Sequence, residues 1–91
     1  MREFDGRVAV VTGAASGMGR AFSERFAREG MKVVLADIEE GALDATVAQL
    51  RAEELEVTGV RTDVSSLEAV EELARATVDQ YGGVHIVCNN A

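Results

Sequence analysis

A strand-like run of apolar residues that passes directly into a glycine-rich loop constrains this chain more than any other feature. Residues 8–12, VAVVT, do not alternate with polar residues, which is typical of a strand covered on both faces of a parallel sheet. Residues 20–29 have helical spacing, with Phe22 and Phe26 on one face. A helix that follows such a loop directs its positive end and its N–H groups at a bound anion, which favours a phosphate.

The loop itself carries glycines at positions 13, 17 and 19. Gly13 is free to adopt a backbone conformation that other residues avoid, and Gly17 and Gly19 allow close approach of a ligand and of the following helix. A tight strand-to-helix turn without any ligand is the alternative interpretation of the same glycines. We interpret Ser16 as a phosphate donor rather than a nucleophile, because nothing near it in the sequence would act as its base.

A second strand is predicted for residues 32–36, and it ends on Asp37, about 20 residues beyond the middle of the loop. A carboxylate at this distance is suited to bind the 2′ and 3′ hydroxyls of an adenine ribose. A solvated acid at the end of a strand is the alternative.

The rest of the chain continues the alternation of strands and helices. We expect helices at about 39–54 and 67–81 and strands at 57–62 and 84–88, with Ser65 and Ser66 as helix-cap candidates. This predicts an α/β fold of the Rossmann type, a doubly wound parallel sheet with element order β-α-β-α-β-α-β and strand order 3-2-1-4. The side chains expected to face inward from the two helices are Leu43, Val47, Leu50, Leu67, Val70, Leu73, Ala74 and Val78.

The loop at 12–19, Thr-Gly-Ala-Ala-Ser-Gly-Met-Gly, resembles the Thr-Gly-x-x-x-Gly-x-Gly loop of the short-chain dehydrogenase/reductase family. Asp63-Val64 after the third strand and Asn89-Asn90-Ala91 after the fourth are similar to two further motifs of that family, so the resemblance covers all 91 residues. It implies an N-terminal, cofactor-binding half of an oxidoreductase. The residues expected at the cofactor are Gly13, Ala15, Ser16, Gly17, Met18, Gly19, Asp37, Ile38, Asp63, Val64, Asn89 and Ala91.

Asp63 has two interpretations. Its chemistry and position favour a helix-capping acid, whereas the resemblance implies that it accepts from the adenine amino group while Val64 contacts the ring. Asn89 is expected beside the ribose or nicotinamide end of the cofactor.

NAD is the expected cofactor, in preference to NADP. A cationic side chain at position 16 or 38 would pair with a 2′-phosphate, but Ser16 and Ile38 stand there, and Asp37 would repel that phosphate. Arg20 is the one cation near the loop, and we expect it on the far side.

No residue of this chain is predicted to be catalytic. The resemblance implies a tyrosine followed four residues later by a lysine, but the only tyrosine is Tyr81 and the only lysine is Lys32. The lone histidine, His85, is expected inside an apolar strand without a triad or ligand partner, and Cys88 is expected to be a small buried apolar residue. We therefore interpret residues 1–91 as an NAD-binding half-domain of a dehydrogenase acting on an alcohol or carbonyl, the alternative being a stand-alone nucleotide-binding module without activity.

Charge and composition limit the partners. The net charge of −7 and the lack of a Lys/Arg cluster argue against nucleic acid and anionic membranes, and no metal site is expected. A single cysteine and the absence of an apolar leader predict a cytoplasmic protein. The complete protein is expected to be a homo-oligomer acting on a small molecule.

Overall fold

The computed structural model describes residues 5–90, and these form one four-stranded parallel sheet with helices on both faces. The strands are β1 (Val8–Thr12), β2 (Lys32–Asp37), β3 (Val57–Arg61) and β4 (Ile86–Cys88). The helices are α1 (Gly17–Arg28), α2 (Glu40–Ala52) and α3 (Leu67–Tyr81). The strand order is β3-β2-β1-β4, which confirms the predicted α/β topology.

The two faces of the sheet bury different sets of side chains. On one face, α1 and α2 cover a core that includes Met31, Leu35 and Leu43, all fully buried. On the other face, Leu73 of α3 packs with Val10. Because β1 and β2 are covered on both sides, they tolerate unbroken apolar runs, and the burial predicted for β1 is confirmed.

The structure corrects the predicted starts of two elements. Helix α1 begins at Gly17 rather than Arg20, because the second half of the glycine loop is its first turn. Strand β4 begins at Ile86 rather than at residue 84, and Val87 at its centre is 64% exposed, because no strand within residues 5–90 pairs with its outer edge.

Helix α3 buries fewer apolar side chains than its spacing predicts. Leu73 is buried, but Leu67, Val70 and Val78 are exposed, whereas the predicted inward stripe of α2 is buried throughout. Helix α2 packs on β2 and β3, while α3 has few contacts with the strands beneath it.

Among the described residues no helix is both long and apolar enough to cross a membrane.

Candidate functional site

The residues singled out in the sequence converge at the carboxyl ends of β1, β2 and β4. The glycine-rich loop follows β1, Asp37 ends β2, and Asn89 follows β4. This edge is where the strand order reverses, between β1 and β4, and parallel α/β sheets bind their ligands at such a point. Ala91, the last predicted site residue, lies outside the described residues.

The loop is folded back tightly on the start of α1. A Cβ atom at Gly19 would overlap the carbonyl oxygen of Gly13 and would lie 2.8 Å from Nδ2 of Asn90. Only glycine fits at position 19, because the obstacle is main chain and is not the end of a flexible side chain. This contact brings the start of α1 against the ends of β1 and β4.

The N-terminal end of α1 is open to a ligand. Ser16 is its N-cap residue, but the Ser16 hydroxyl makes no capping hydrogen bond, and the first turn contains no acidic residue. Gly17 has a φ of +55°, and a Cβ there would have no atom within 4 Å. Met18 is 65% exposed beside it. An uncapped helix start without acids and with open space before it has the chemistry that suits a phosphate anion.

Asp37 is hydrogen-bonded to the loop. Its Oδ2 accepts from the main-chain N–H of Ala15 at 3.0 Å, and its Oδ1 accepts from the N–H of Glu39 at 3.0 Å. The interpretation of Asp37 as a merely solvated acid is therefore wrong. Nothing in the sequence pattern indicated the bond to Ala15.

A cavity of about 240 Å³ lies between the loop and the ends of β2 and β3. Five of the predicted site residues line it together with Thr62, namely Gly13, Asp37, Ile38, Asp63 and Val64. Ile38 and Val64 are both about half exposed. The cavity thus offers apolar surface and two carboxylates to one ligand. Thr62 was not among the predicted site residues. In the sequence, only its position immediately before Asp63 indicates that it lies at the site.

Asp63 does not cap helix α3. Its Oδ1 accepts from the hydroxyl of Ser65 at 2.6 Å and from the N–H of Ser65 at 2.9 Å, which forms a turn before the helix. The N-cap residue is Ser66, whose hydroxyl accepts from the N–H of Ala69 at 3.2 Å. The capping interpretation of Asp63 is therefore wrong. The hydrogen bond from the Ser65 hydroxyl, and after it the bond from the Ser65 N–H, stabilise the charged form of Asp63. They hold the pKa of Asp63 below its usual value.

Thr12 joins the loop to the residues that follow β4. Its hydroxyl donates to Oδ1 of Asn89 at 3.0 Å and accepts from the N–H of Asn90 at 3.0 Å. Asn90 was not among the predicted site residues, although it stands beside Asn89 in the sequence. Both asparagines are therefore held at the mouth of the site by one buried hydroxyl.

The tyrosine, the lysine and the histidine lie away from this edge. Lys32 begins β2, and its Nζ lies 5.9 Å from the centroid of the Tyr81 ring, while the Tyr81 hydroxyl is 3.0 Å from Oγ1 of Thr58. His85 precedes β4, and its Nδ1 accepts from the N–H of Val8 at 2.9 Å. All three lie towards the amino ends of the strands, so none of them reaches the cavity.

An apolar groove of about 290 Å³ adjoins the site on the α3 side of the sheet. It runs between α3 and the strands β1 and β4, and Leu73, Val70 and Val87 are among its lining residues. Thr12, Val64 and Asn89 also line the groove, so it reaches the carboxyl edge of the sheet.

The comparisons with known proteins agree with this arrangement. The family model described as short chain dehydrogenase matches residues 7–91. The chain is 54% identical over 85 residues to 1-deoxy-11-beta-hydroxypentalenate dehydrogenase of Streptomyces arenae, a match that covers 93% of this chain and 30% of that protein. It is 47% identical over 87 residues to an uncharacterized oxidoreductase of Thermotoga maritima, covering 34% of that protein.

Solved structures with the same fold carry two different cofactors. A short chain dehydrogenase/reductase from Burkholderia phymatum in complex with NAD matches at 59% identity and a TM-score of 0.92, over 96% of this chain and 31% of that one. A variant of actinorhodin polyketide ketoreductase with NADPH matches at 39% identity and a TM-score of 0.90, over 93% of this chain and 33% of that one. The present chain therefore spans about a third of the length of the proteins it matches.

Proposed function

Because this chain belongs to the short chain dehydrogenase family, we propose that it is the NAD-binding half-domain of an oxidoreductase that acts on an alcohol or carbonyl substrate. The observation that carries the proposal is the position of Asp37 in the wall of the 240 Å³ cavity, hydrogen-bonded to the glycine-rich loop. The partly apolar cavity fits the adenosine of an adenosine diphosphate group, and the open start of α1 fits its anionic diphosphate.

The residues have separate roles in this proposal. The main chain at Ser16, Gly17, Met18 and Gly19 faces the pyrophosphate, because the start of α1 is uncapped and free of acids. Asp37 accepts from the adenine ribose hydroxyls, each of its oxygens having a second lone pair beside the bond it already makes. Asp63 accepts from the adenine amino group, and as an aspartate it is ionised and able to accept at neutral pH.

When bound, the nicotinamide supplies the hydride transfer, and this chain's residues bind and orient the cofactor. Asn89, held by Thr12, borders the nicotinamide end. We assign no proton transfer to residues 5–90, because Tyr81 and Lys32 are engaged at the opposite end of the strands.

The preference for NAD over NADP rests on charge. Asp37 lies in the cavity wall and would repel a 2′-phosphate, and the neighbouring lining residue, Ile38, offers no cation to pair with it. Arg20 bonds through Nη2 to Oε1 of Gln49 on α2, and it is not among the residues that line the cavity.

Cofactor titration tests this preference. Fluorescence titration of the complete protein with NADH and NADPH should show tighter NADH binding, and Asp37→Ala should lower the ratio of the two affinities by about tenfold or more. Glu40→Gln removes the same charge from the exposed first turn of α2 and should leave the ratio unchanged. An unchanged ratio in Asp37→Ala would contradict the ribose role.

A nucleotide-binding module without its own chemistry is the second candidate, favoured by the engagement of Tyr81 and Lys32 away from the site. The two candidates differ in the coding sequence beyond residue 91. A glycine followed later by Tyr-x-x-x-Lys supports the dehydrogenase, and a stop codon supports the module. For residues 1–91 alone we expect NAD binding weaker than micromolar in calorimetry, because only part of the dinucleotide would be covered.

A cytoplasmic location and assembly into a homo-oligomer also belong to the proposal. The free thiol of Cys88 suits a reducing compartment, and the exposed apolar side chains of α3, such as Leu67 and Val78, provide surface for association. Cell fractionation and sedimentation of the complete protein test these two points.

A further inference from the structure

The contact between Asp37 and Ala15 links the specificity acid to the phosphate loop through the main chain. The two residues are 22 positions apart, and the carboxylate is partly buried between the end of β2 and the loop. The preceding residue is also fixed, since the N–H of Ala14 donates to the carbonyl of Ala36 at 3.1 Å. Two consecutive N–H groups of the loop are therefore held by the last two residues of β2.

This arrangement divides the loop into a fixed part and an open part. Ala14 and Ala15 are buried against β2, whereas Ser16, Gly17 and Met18 are exposed at the start of α1. The direction in which the open part presents its N–H groups depends on where the fixed part is held.

We propose that Asp37 is a positioning residue for the glycine-rich loop, acting through the N–H of Ala15, in addition to its ribose role; this rests on the proposed cofactor function. Each carboxylate oxygen holds one main-chain N–H, so the side chain is oriented before any ligand binds. Alanine at this position has no side-chain acceptor, and it therefore leaves both N–H groups without this partner.

Two consequences distinguish this role from ribose binding alone. First, replacing Asp37 weakens the binding even of dinucleotides whose adenine ribose lacks the 2′ and 3′ hydroxyls. Exchange of Asp37 for a neutral residue also does not convert the site fully to NADP, because the loop that binds the pyrophosphate is displaced in the same step.

A cofactor analogue separates the two roles. Calorimetry with NAD and with its 2′,3′-dideoxyadenosine analogue should show that Asp37→Ala weakens binding of both ligands, the analogue by about fivefold to tenfold. Glu40→Gln, the matched loss of charge, should change the affinity for the analogue less than about twofold. The inference is overturned if Asp37→Ala has weaker affinity for NAD but binds the analogue as tightly as the unsubstituted protein does. If the unsubstituted protein binds neither ligand, the proposed function itself fails.

Amide exchange tests the positioning role without any ligand. In the unliganded chain, hydrogen exchange followed by NMR should be at least about tenfold faster at the Ala15 amide in Asp37→Ala than in Glu40→Gln. Exchange at core amides such as Val34 serves as the folding control. An Ala15 amide that exchanges equally fast in both variants contradicts the inference, whatever the cofactor result.

Discussion

Thr12 and Asn89 are joined by a 3.0 Å hydrogen bond between their side chains across 77 positions of sequence. The same hydroxyl accepts from the N–H of Asn90, so a single buried oxygen connects the end of β1 to the residues after β4. Strand β4 has three residues and, in the part of the chain that the structure describes, pairs with β1 alone, and these two bonds extend that pairing.

Replacing the Thr12 hydroxyl should therefore weaken the attachment of β4. Thr12→Val keeps the shape but leaves the N–H of Asn90 without this acceptor, and we expect a loss of about 1–3 kcal/mol in the free energy of unfolding measured with urea. Thr12→Ser keeps the hydroxyl and loses one methyl group, which costs about 1 kcal/mol or less. Equal stability of the two variants would show that the hydroxyl contributes nothing.

Gly19→Ala should disrupt the loop. The added Cβ would overlap the carbonyl oxygen of Gly13, so the main chain just after β1 or in the first turn of α1 would have to shift. We expect the free energy of unfolding to fall by about 3 kcal/mol or more, or the chain not to fold. Gly41→Ala, in α2 where a Cβ meets nothing within 4 Å, should be neutral or stabilising by up to about 1 kcal/mol. Circular dichroism with urea distinguishes these outcomes, and a stable Gly19→Ala chain would refute the steric argument.

His85 should act as a structural acceptor and not as a base. Its ring Nδ1 accepts from the buried main-chain N–H of Val8. The main-chain N–H of His85 in turn donates to the carbonyl of Val8 at 2.9 Å. His85→Leu removes the side-chain acceptor and should cost about 1–2 kcal/mol in urea unfolding. His85→Asn places an amide oxygen near the position of Nδ1 and should recover most of that loss. If leucine and asparagine are equally destabilising, the bond to Val8 has no part in stability.

The acid sensitivity of the site should depend on Ser65. The Ser65 hydroxyl and N–H lower the pKa of Asp63 in the folded chain, so this group stabilises the fold above its unfolded pKa near 3.8 and loses that contribution as the pH falls through the folded value. Ser65→Ala should raise the folded pKa of Asp63 in a ¹³C NMR titration. Ser66→Ala removes the cap of α3 but not these bonds, so it should leave the pKa of Asp63 unchanged. An unaltered pKa in Ser65→Ala would be the contrary result.

Much of the fold could be predicted from local pattern. The unbroken apolar runs of β1 and β2, the stripe of Leu43, Val47 and Leu50, and the glycine at position 82 that ends α3 each follow from residues close together in the chain. The convergence of the loop with Asp37 follows from the same pattern, because parallel strands bring their carboxyl ends to one edge.

Burial at the periphery could not be predicted in the same way. Helix α3 has the spacing of a helix with a covered face, yet Leu67 and Val78 are exposed. Spacing shows that a helix has an apolar face, but what covers that face is decided by other elements. The same reason explains the exposure of Val87 in β4.

The sequence by itself determined the order and type of the elements and the edge of the sheet at which a ligand would be bound, because hydrophobic period and glycine spacing act over a few residues. Only the tertiary structure decided which side chains hold that edge together. The bonds of Asp37 to Ala15, Thr12 to Asn89 and His85 to Val8 join residues 22 and 77 positions apart. Such a bond depends on the register between strands and on side-chain direction, which the sequence pattern leaves open and the packed sheet fixes.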